Sequence, residues 1–164
     1  MEPQSDPIPE KLPEVKSGNG NSYTVLIAED DEDDFLLIEE AFKEADLMYG
    51  LHWVKDGEEL VNYLFALIHQ DGSGNYVEPA LIILDLNMPK VSGFEALAQI
   101  KAHPRLRKIP VVILTTSQSE DDVLQGYDIG VNSFIQKPIR FESLVEVIQT
   151  LDQYWFNIVK LPKP

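Results

Sequence analysis

Five short apolar runs punctuate the chain, and between them apolar residues return every three or four positions. Residues 23–28 (YTVLIA), 80–84 (ALIIL) and 111–114 (VVIL) show no polar alternation, the pattern of strands covered on both faces of a parallel sheet. Residues 51–54 and 133–136 read as two weaker strands. Helical spacing places Ile38, Phe42 and Ala45 on one face of 34–45, and Leu60, Val61, Leu64 and Ile68 on one face of 58–69. It does the same for Phe94, Leu97 and Ala98 in 94–102, and for Val123, Leu124 and Tyr127 in 120–129. In 141–151 the face is Leu144, Val147, Ile148 and Leu151. Five repeats of strand then helix predict an α/β fold: a doubly wound five-stranded parallel sheet, order 2-1-3-4-5, with five helices.

The ends of the chain break this pattern. Residues 1–21 hold prolines at 3, 7, 9 and 13 and a Ser-Gly-Asn-Gly-Asn run, which predicts a flexible N-terminal tail. The domain is expected over 22–152, followed by an aromatic C-terminal extension over 153–164. Too little chain follows Leu151 for a second, DNA-binding domain, so none is expected.

Composition narrows the function. The chain has 164 residues, 28 Asp and Glu against 13 Lys and Arg, and a net charge of -15. That balance argues against nucleic-acid binding, which needs cations to displace phosphate counterions, and against docking on anionic membranes. No apolar run approaches the ~18 residues of a membrane span, and residues 1–21 lack the apolar core of a signal peptide. A cytoplasmic protein is expected. With no Cys, disulfides and thiol catalysis are excluded. His52, His69 and His103 show no metal-ligand spacing.

In a doubly wound sheet the ligand site lies beyond the carboxyl ends of the strands. Four strand ends carry reactive or charged residues: Glu29-Asp30, Asp85, Thr115 and Lys137. Asp85 follows five apolar residues, where a lone buried carboxylate is very costly. If Glu29 and Asp30 lie beside it, three carboxylates share one pocket and raise one another's pKa unless a cation intervenes. An all-oxygen set suits a hard ion, with Mg²⁺ the natural candidate. The plain alternative is that the acid pair opens the next helix, a role that Asp31–Asp34 also suit. A Lys aimed at such a pocket neutralises carboxylates or holds a phosphoryl oxygen.

The motifs Val25-Leu-Ile-Ala-Glu-Asp-Asp, Leu84-Asp-Leu-Asn-Met-Pro-Lys-Val-Ser-Gly, Ile113-Leu-Thr-Thr-Ser and Lys137-Pro resemble the receiver domain of two-component response regulators, a flavodoxin-like fold. The intervals match as well: 55 residues from Asp30 to Asp85, 30 to Thr115 and 22 to Lys137. The resemblance implies that Asp85 is the phosphoacceptor. It implies that Glu29 and Asp30 position Mg²⁺ together with Asp85 and the backbone carbonyl of Asn87. Thr115 matches the hydroxyl that bonds the phosphoryl group, and Lys137 the residue that pairs with a phosphoryl oxygen. The Lys137–Pro138 bond matches the family's cis peptide, and Phe134 the aromatic switch that moves with Thr115. Such a protein takes a phosphoryl group from a sensor histidine kinase and catalyses only its own phosphorylation and dephosphorylation. Three positions depart from the commonest pattern. Glu29 replaces Asp, Thr116 replaces a smaller residue, and Phe134 lacks a hydroxyl.

The Tyr-Trp…Val-Lys-Leu-Pro ending, the acidic run and Leu-Thr-Thr-Ser resemble the stand-alone regulators paired with cyanobacterial phytochromes. That resemblance implies a phytochrome-type kinase as partner. It also implies a homodimer through the fourth helix, fifth strand, fifth helix and C-terminal tail, with Tyr127, Phe134, Phe141 and the tail aromatics near one face. The tail's plainer reading is packing over the core edge. One alternative is a phosphorelay intermediate that passes phosphate to a histidine phosphotransfer protein. An Asp-nucleophile phosphatase is disfavoured, because Asn87 occupies the position of the second acid such enzymes need.

Overall fold

The computed structural model describes residues 23–70 and 76–162. The predicted N-terminal tail, 1–21, lies outside the described residues. The elements run β1 (Thr24–Ala28), α1 (Glu32–Glu44), β2 (Gly50–Val54), α2 (Gly57–His69), β3 (Leu81–Leu84), α3 (Gly93–Ala102), β4 (Val111–Thr115), α4 (Glu120–Ile129), β5 (Ser133–Gln136) and α5 (Phe141–Asp152). A 3₁₀ turn, Leu106–Lys108, precedes β4, and a π-helical segment, Gln153–Ile158, extends α5. All strand pairs are parallel and the order is β2-β1-β3-β4-β5, as predicted.

Because successive side chains of a strand point to opposite faces, the sheet is the wall between two cores. Leu26, Ala28, Ile82, Leu84, Val111 and Ile113 pack under α2 and α3. Val25, Ile27, Leu81, Ile83, Val112 and Leu114 pack under α1 and α5. Burying these Leu, Ile and Val side chains contributes roughly 1.5–3 kcal/mol each before chain entropy is set against it.

Side-chain caps start most of the helices where the sequence turns polar. Asp31, Asp56, Ser92 and Ser119 each accept the amide three residues ahead, at the starts of α1, α2, α3 and α4.

One helix faces differently from its predicted orientation. Leu124 and Tyr127 of α4 are exposed, and the innermost residue is Gly126. A Cβ there would stand 3.2 Å from Ile113 Cδ1 and 3.4 Å from Phe134 Cδ2. The helix lies so close to the sheet that its contact position carries no side chain, which hydrophobic periodicity cannot see.

The C-terminal segment is divided. Trp155 is buried, and Phe156 stacks on Tyr23 with ring centroids 4.6 Å apart and lies 4.8 Å from Tyr49. Tyr49 donates a hydrogen bond to Asp152. Tyr154 and Ile158 remain exposed. The aromatics expected on one face are therefore split. Phe134 packs on the α4 side, whereas Phe141, Trp155 and Phe156 join the core under α1 and α5.

Candidate functional site

The four reactive strand ends converge at the carboxyl edge of the sheet. Where β1 ends, the Glu29 amide donates to the Val54 carbonyl (3.1 Å) and the Asp85 amide to the Ala28 carbonyl (3.0 Å). These bonds fix Glu29 and Asp85 beside one another. Gly93, at the start of α3, makes room for the backbone after Asp85. A Cβ on it would lie 2.5 Å from the Asp85 carbonyl oxygen and 2.6 Å from Leu86 Cα. Lys137 follows β5, its amide donating to the Thr115 carbonyl (2.7 Å).

From these anchors the side chains meet. Lys137 Nζ donates to Glu29 Oε2 at 2.7 Å, Asp85 Oδ2 at 3.0 Å and Asp34 Oδ2 at 3.0 Å. Glu29 is 2% exposed and Asp85 6%, so this is a buried ion cluster in which polarity is costly and every partner counts. Burial pushes the Glu29 carboxyl up to about 8, with Asp85's charge adding to the rise and the Lys137 hydrogen bond opposing it. Burial works against the Lys137 ammonium, but the hydrogen bond it donates to Glu29 and the charges of Asp85 and Glu29 outweigh it and hold its pKa above the ordinary value.

Glu29, Asp30 and Asp85 each offer one carboxylate oxygen within 4.8 Å of the others. Three hard oxygen donors, two of them buried and one exposed, fit a divalent cation that keeps part of its water shell. A cation there would offset the repulsion that Asp85 adds to the effect of burial at Glu29.

Of the predicted residues, Glu29, Asp30, Asp85 and Lys137 are brought together. Asn87 is exposed, and its amide donates to Asp85 Oδ1 at 3.2 Å. Thr115 is buried at the end of β4, its hydroxyl accepting the Ser117 amide at 3.4 Å. Phe134 is half-buried against Gly126, and its amide donates to the exposed Tyr127 hydroxyl at 3.2 Å.

The Lys137–Pro138 bond is trans, against the cis expectation. Trans is the lower-energy state of an X-Pro bond by about 0.5–1 kcal/mol, and the Lys137 side chain reaches all three carboxylates from it. Asp34 is the residue that sequence reasoning passed over. In the sequence it shows only the character of a helix-opening acid.

Five parallel strands in the order β2-β1-β3-β4-β5, with three carboxylates and a lysine gathered at their carboxyl ends, define a doubly wound α/β protein with an acidic site at the sheet edge. The match to the response regulator receiver domain over residues 25–149 places the chain in that family. It is 38% identical over 142 residues to the probable methanogenesis regulatory protein FilR2 of Methanothrix harundinacea, covering 87% of this chain and 89% of that protein. It is 38% identical over 139 residues to the response regulator Rcp1 of Synechocystis, covering 84% and 92%. Among solved structures it is similar to the phosphorylated cyanobacterial phytochrome response regulator RcpA, at 36% identity and a TM-score of 0.77, covering 87% of this chain and all of that one. It is also similar to the Mn²⁺-bound form of Rcp1, at 37% identity and a TM-score of 0.69, covering 86% and 99%.

Proposed function

We propose that this chain is a single-domain response regulator that takes a phosphoryl group from a sensor histidine kinase of the phytochrome type onto Asp85. The observation that carries the reading is the Lys137 ammonium bound to Asp85 and Glu29 beside three converging carboxylate oxygens. Glu29, Asp30, Asp85 and the Asn87 carbonyl would hold Mg²⁺, which when bound neutralises charge developing on the phosphoryl oxygens.

Asp85 supplies the attacking carboxylate oxygen. Its O–P bond forms as the P–N bond of a phosphohistidine breaks, and the electron pair stays on the imidazole nitrogen. Lys137 is placed to follow a phosphoryl oxygen as a point charge, and Thr115 offers a hydroxyl donor from the adjacent strand. When Thr115 turns toward the new phosphoryl group, the space it leaves is available to Phe134, which shifts the α4–β5–α5 surface between two packings. A bias of a few kcal/mol suffices for that shift.

The exposed Leu124, Tyr127 and Ile139 support a homodimer through this surface, with Tyr154 and Ile158 the tail side chains available to it. On this reading the chain turns over no external substrate and acts in the cytoplasm. No helix among the described residues is long and apolar enough to cross a membrane.

Incubation with acetyl phosphate and MgCl₂ tests the reading. Wild type is expected to incorporate phosphate and Asp85→Asn to incorporate none, while equal incorporation would exclude Asp85. Light scattering with and without beryllofluoride tests the dimer, and a strict monomer at high micromolar concentration in both states would rule it out.

A further inference from the structure

A half-buried tryptophan on the edge strand touches the acid loop directly. Trp53 of β2 sits beside Ile27 of β1 in the parallel register, on the sheet face that α1 covers. Its indole Nε1 donates to the backbone carbonyl of Glu29 at 2.7 Å. The ring lies flat on Phe35, with centroids 4.5 Å apart and planes 1° from parallel. Lys55 Nζ stands 5.1 Å from the same ring, within cation–π range. The indole thus has little freedom, and its N–H is aimed by packing rather than by chance.

We infer that Trp53 is a positioning residue for the metal loop, acting through the Glu29 carbonyl on the placement of Asp30. β1 ends at Ala28, so the next residue has no regular strand partner for its carbonyl. β2 supplies substitutes for both of its backbone groups: the Val54 carbonyl takes the Glu29 amide, and the Trp53 indole gives to the Glu29 carbonyl. The Glu29 side chain is held as well, by the Asp31 amide at 3.2 Å and by Lys137. What the indole adds is the orientation of the Glu29–Asp30 peptide plane. That plane determines where the exposed Asp30 carboxylate stands relative to Asp85. A free carbonyl lets Asp30 sample positions off the metal, and each must be given up on binding. Groups that orient a ligand from behind it typically govern about ten-fold or more in metal affinity.

The inference rests on the proposed Mg²⁺ role of this site, and one titration separates the two. Wild type and Trp53→Phe are titrated with MgCl₂ by calorimetry. Phe keeps an aromatic ring for Phe35 but has no N–H to give. The dissociation constant is expected to rise about five- to ten-fold. In acetyl phosphate labelling at limiting Mg²⁺, Trp53→Phe is expected to be slow, and at saturating Mg²⁺ to reach the wild-type rate. A merely structural role would lower thermal stability and leave the Mg²⁺ constant unchanged, which overturns the inference. Failure of wild type itself to bind Mg²⁺ would overturn the metal reading with it.

A second measurement needs no variant at position 53. The chain has two tryptophans, so two indole N–H signals are expected in a ¹⁵N spectrum, and Trp155→Phe assigns them. The Trp53 signal is expected to shift along the Mg²⁺ titration with the calorimetric constant, and the Trp155 signal to stay. A Trp53 signal that ignores saturating Mg²⁺ overturns the inference.

Discussion

Lys137 balances two carboxylates that are almost fully buried, and the other members of the site depend on that balance. Removing one partner of a buried ion pair costs about 3–5 kcal/mol, because the remaining charges lose both water and counter-charge. Lys137→Met is therefore expected to lose roughly 3 kcal/mol in urea unfolding with EDTA present. Saturating MgCl₂ should return most of that loss and add less to wild type, since a cation at the same carboxylates supplies the missing charge. Equal Mg²⁺ gains in both proteins would show that the lysine and the cation act on different groups. His52 gives a separate handle on pH. It stacks on Tyr63 at 4.6 Å, and burial lowers its pKa below 6.5 against the pull of Glu59. The unfolded chain then binds more protons than the folded one between that lowered value and 6.5. The contribution is complete above pH 6.5 and is lost as pH falls through the folded-state value. Stability from about pH 7 to about pH 5 should fall more steeply in wild type than in His52→Phe, read by urea midpoints in EDTA. The strand-end residues were legible in the sequence because apolar runs stop at them and intervals are fixed by the fold. Asp34 was not, because in a run of six consecutive acids only geometry selects the one that turns to Lys137. Trp53 was not, because an aromatic on a weak strand reads as packing until its indole is seen 2.7 Å from a carbonyl.

At the scale of elements, the approach of α3 to the end of β3 is the contact that shapes the loop after Asp85. The close neighbours of Gly93 are backbone atoms of Asp85 and Leu86, which cannot rotate away as a side chain could. Gly93→Ala is expected to cost ~2 kcal/mol in unfolding and to slow phosphorylation, because relief requires moving the Asp85 backbone. A variant of normal stability and normal labelling rate would mean that the helix start yields instead. The tail divides in the same way that its burial divides. Phe156→Ala removes a ring stacked on Tyr23 and packed at a tilt against Tyr49, and should cost ~2 kcal/mol. Tyr154→Ala, at an exposed position, should stay within about 0.5 kcal/mol of wild type and be felt only in association. Strand and helix order was readable throughout, since parallel strands buried on both faces are uninterrupted apolar runs. The inward face of α4 was hidden by a glycine at its contact point. The π-helical continuation of α5 was hidden because its reason is tertiary, an aromatic cluster with Tyr23 and Tyr49 from the other end of the sheet.

The charge of the whole molecule is unevenly spread, and that unevenness makes a measurable demand on the solvent. Residues 29–46 hold ten acids and one Lys, a net of -9 out of -15 for the chain. This run spans the acid loop after β1 and α1, so its field converges where Glu29, Asp30 and Asp85 already crowd their oxygens within 4.8 Å. Two solution effects should then compete. Monovalent salt screens repulsion between exposed charges over a Debye length of ~10 Å at 0.1 M, so NaCl is expected to stabilise the metal-free protein. Screening also weakens the long-range attraction of Mg²⁺, so its apparent affinity should fall in the same series. A ligand that binds only the folded state stabilises it by about 2.7 kcal/mol at a hundred times its dissociation constant. The Mg²⁺-induced rise in Tm at fixed MgCl₂ should therefore shrink as NaCl increases, while Tm in EDTA climbs. Asp30→Asn separates the local from the distributed part. It removes one exposed ligand oxygen and one charge from the run, so the Mg²⁺ rise should largely vanish while the NaCl dependence in EDTA persists. If the Mg²⁺ rise in wild type is indifferent to NaCl, the three carboxylates alone attract the cation, and the acidic face of α1 serves some other end.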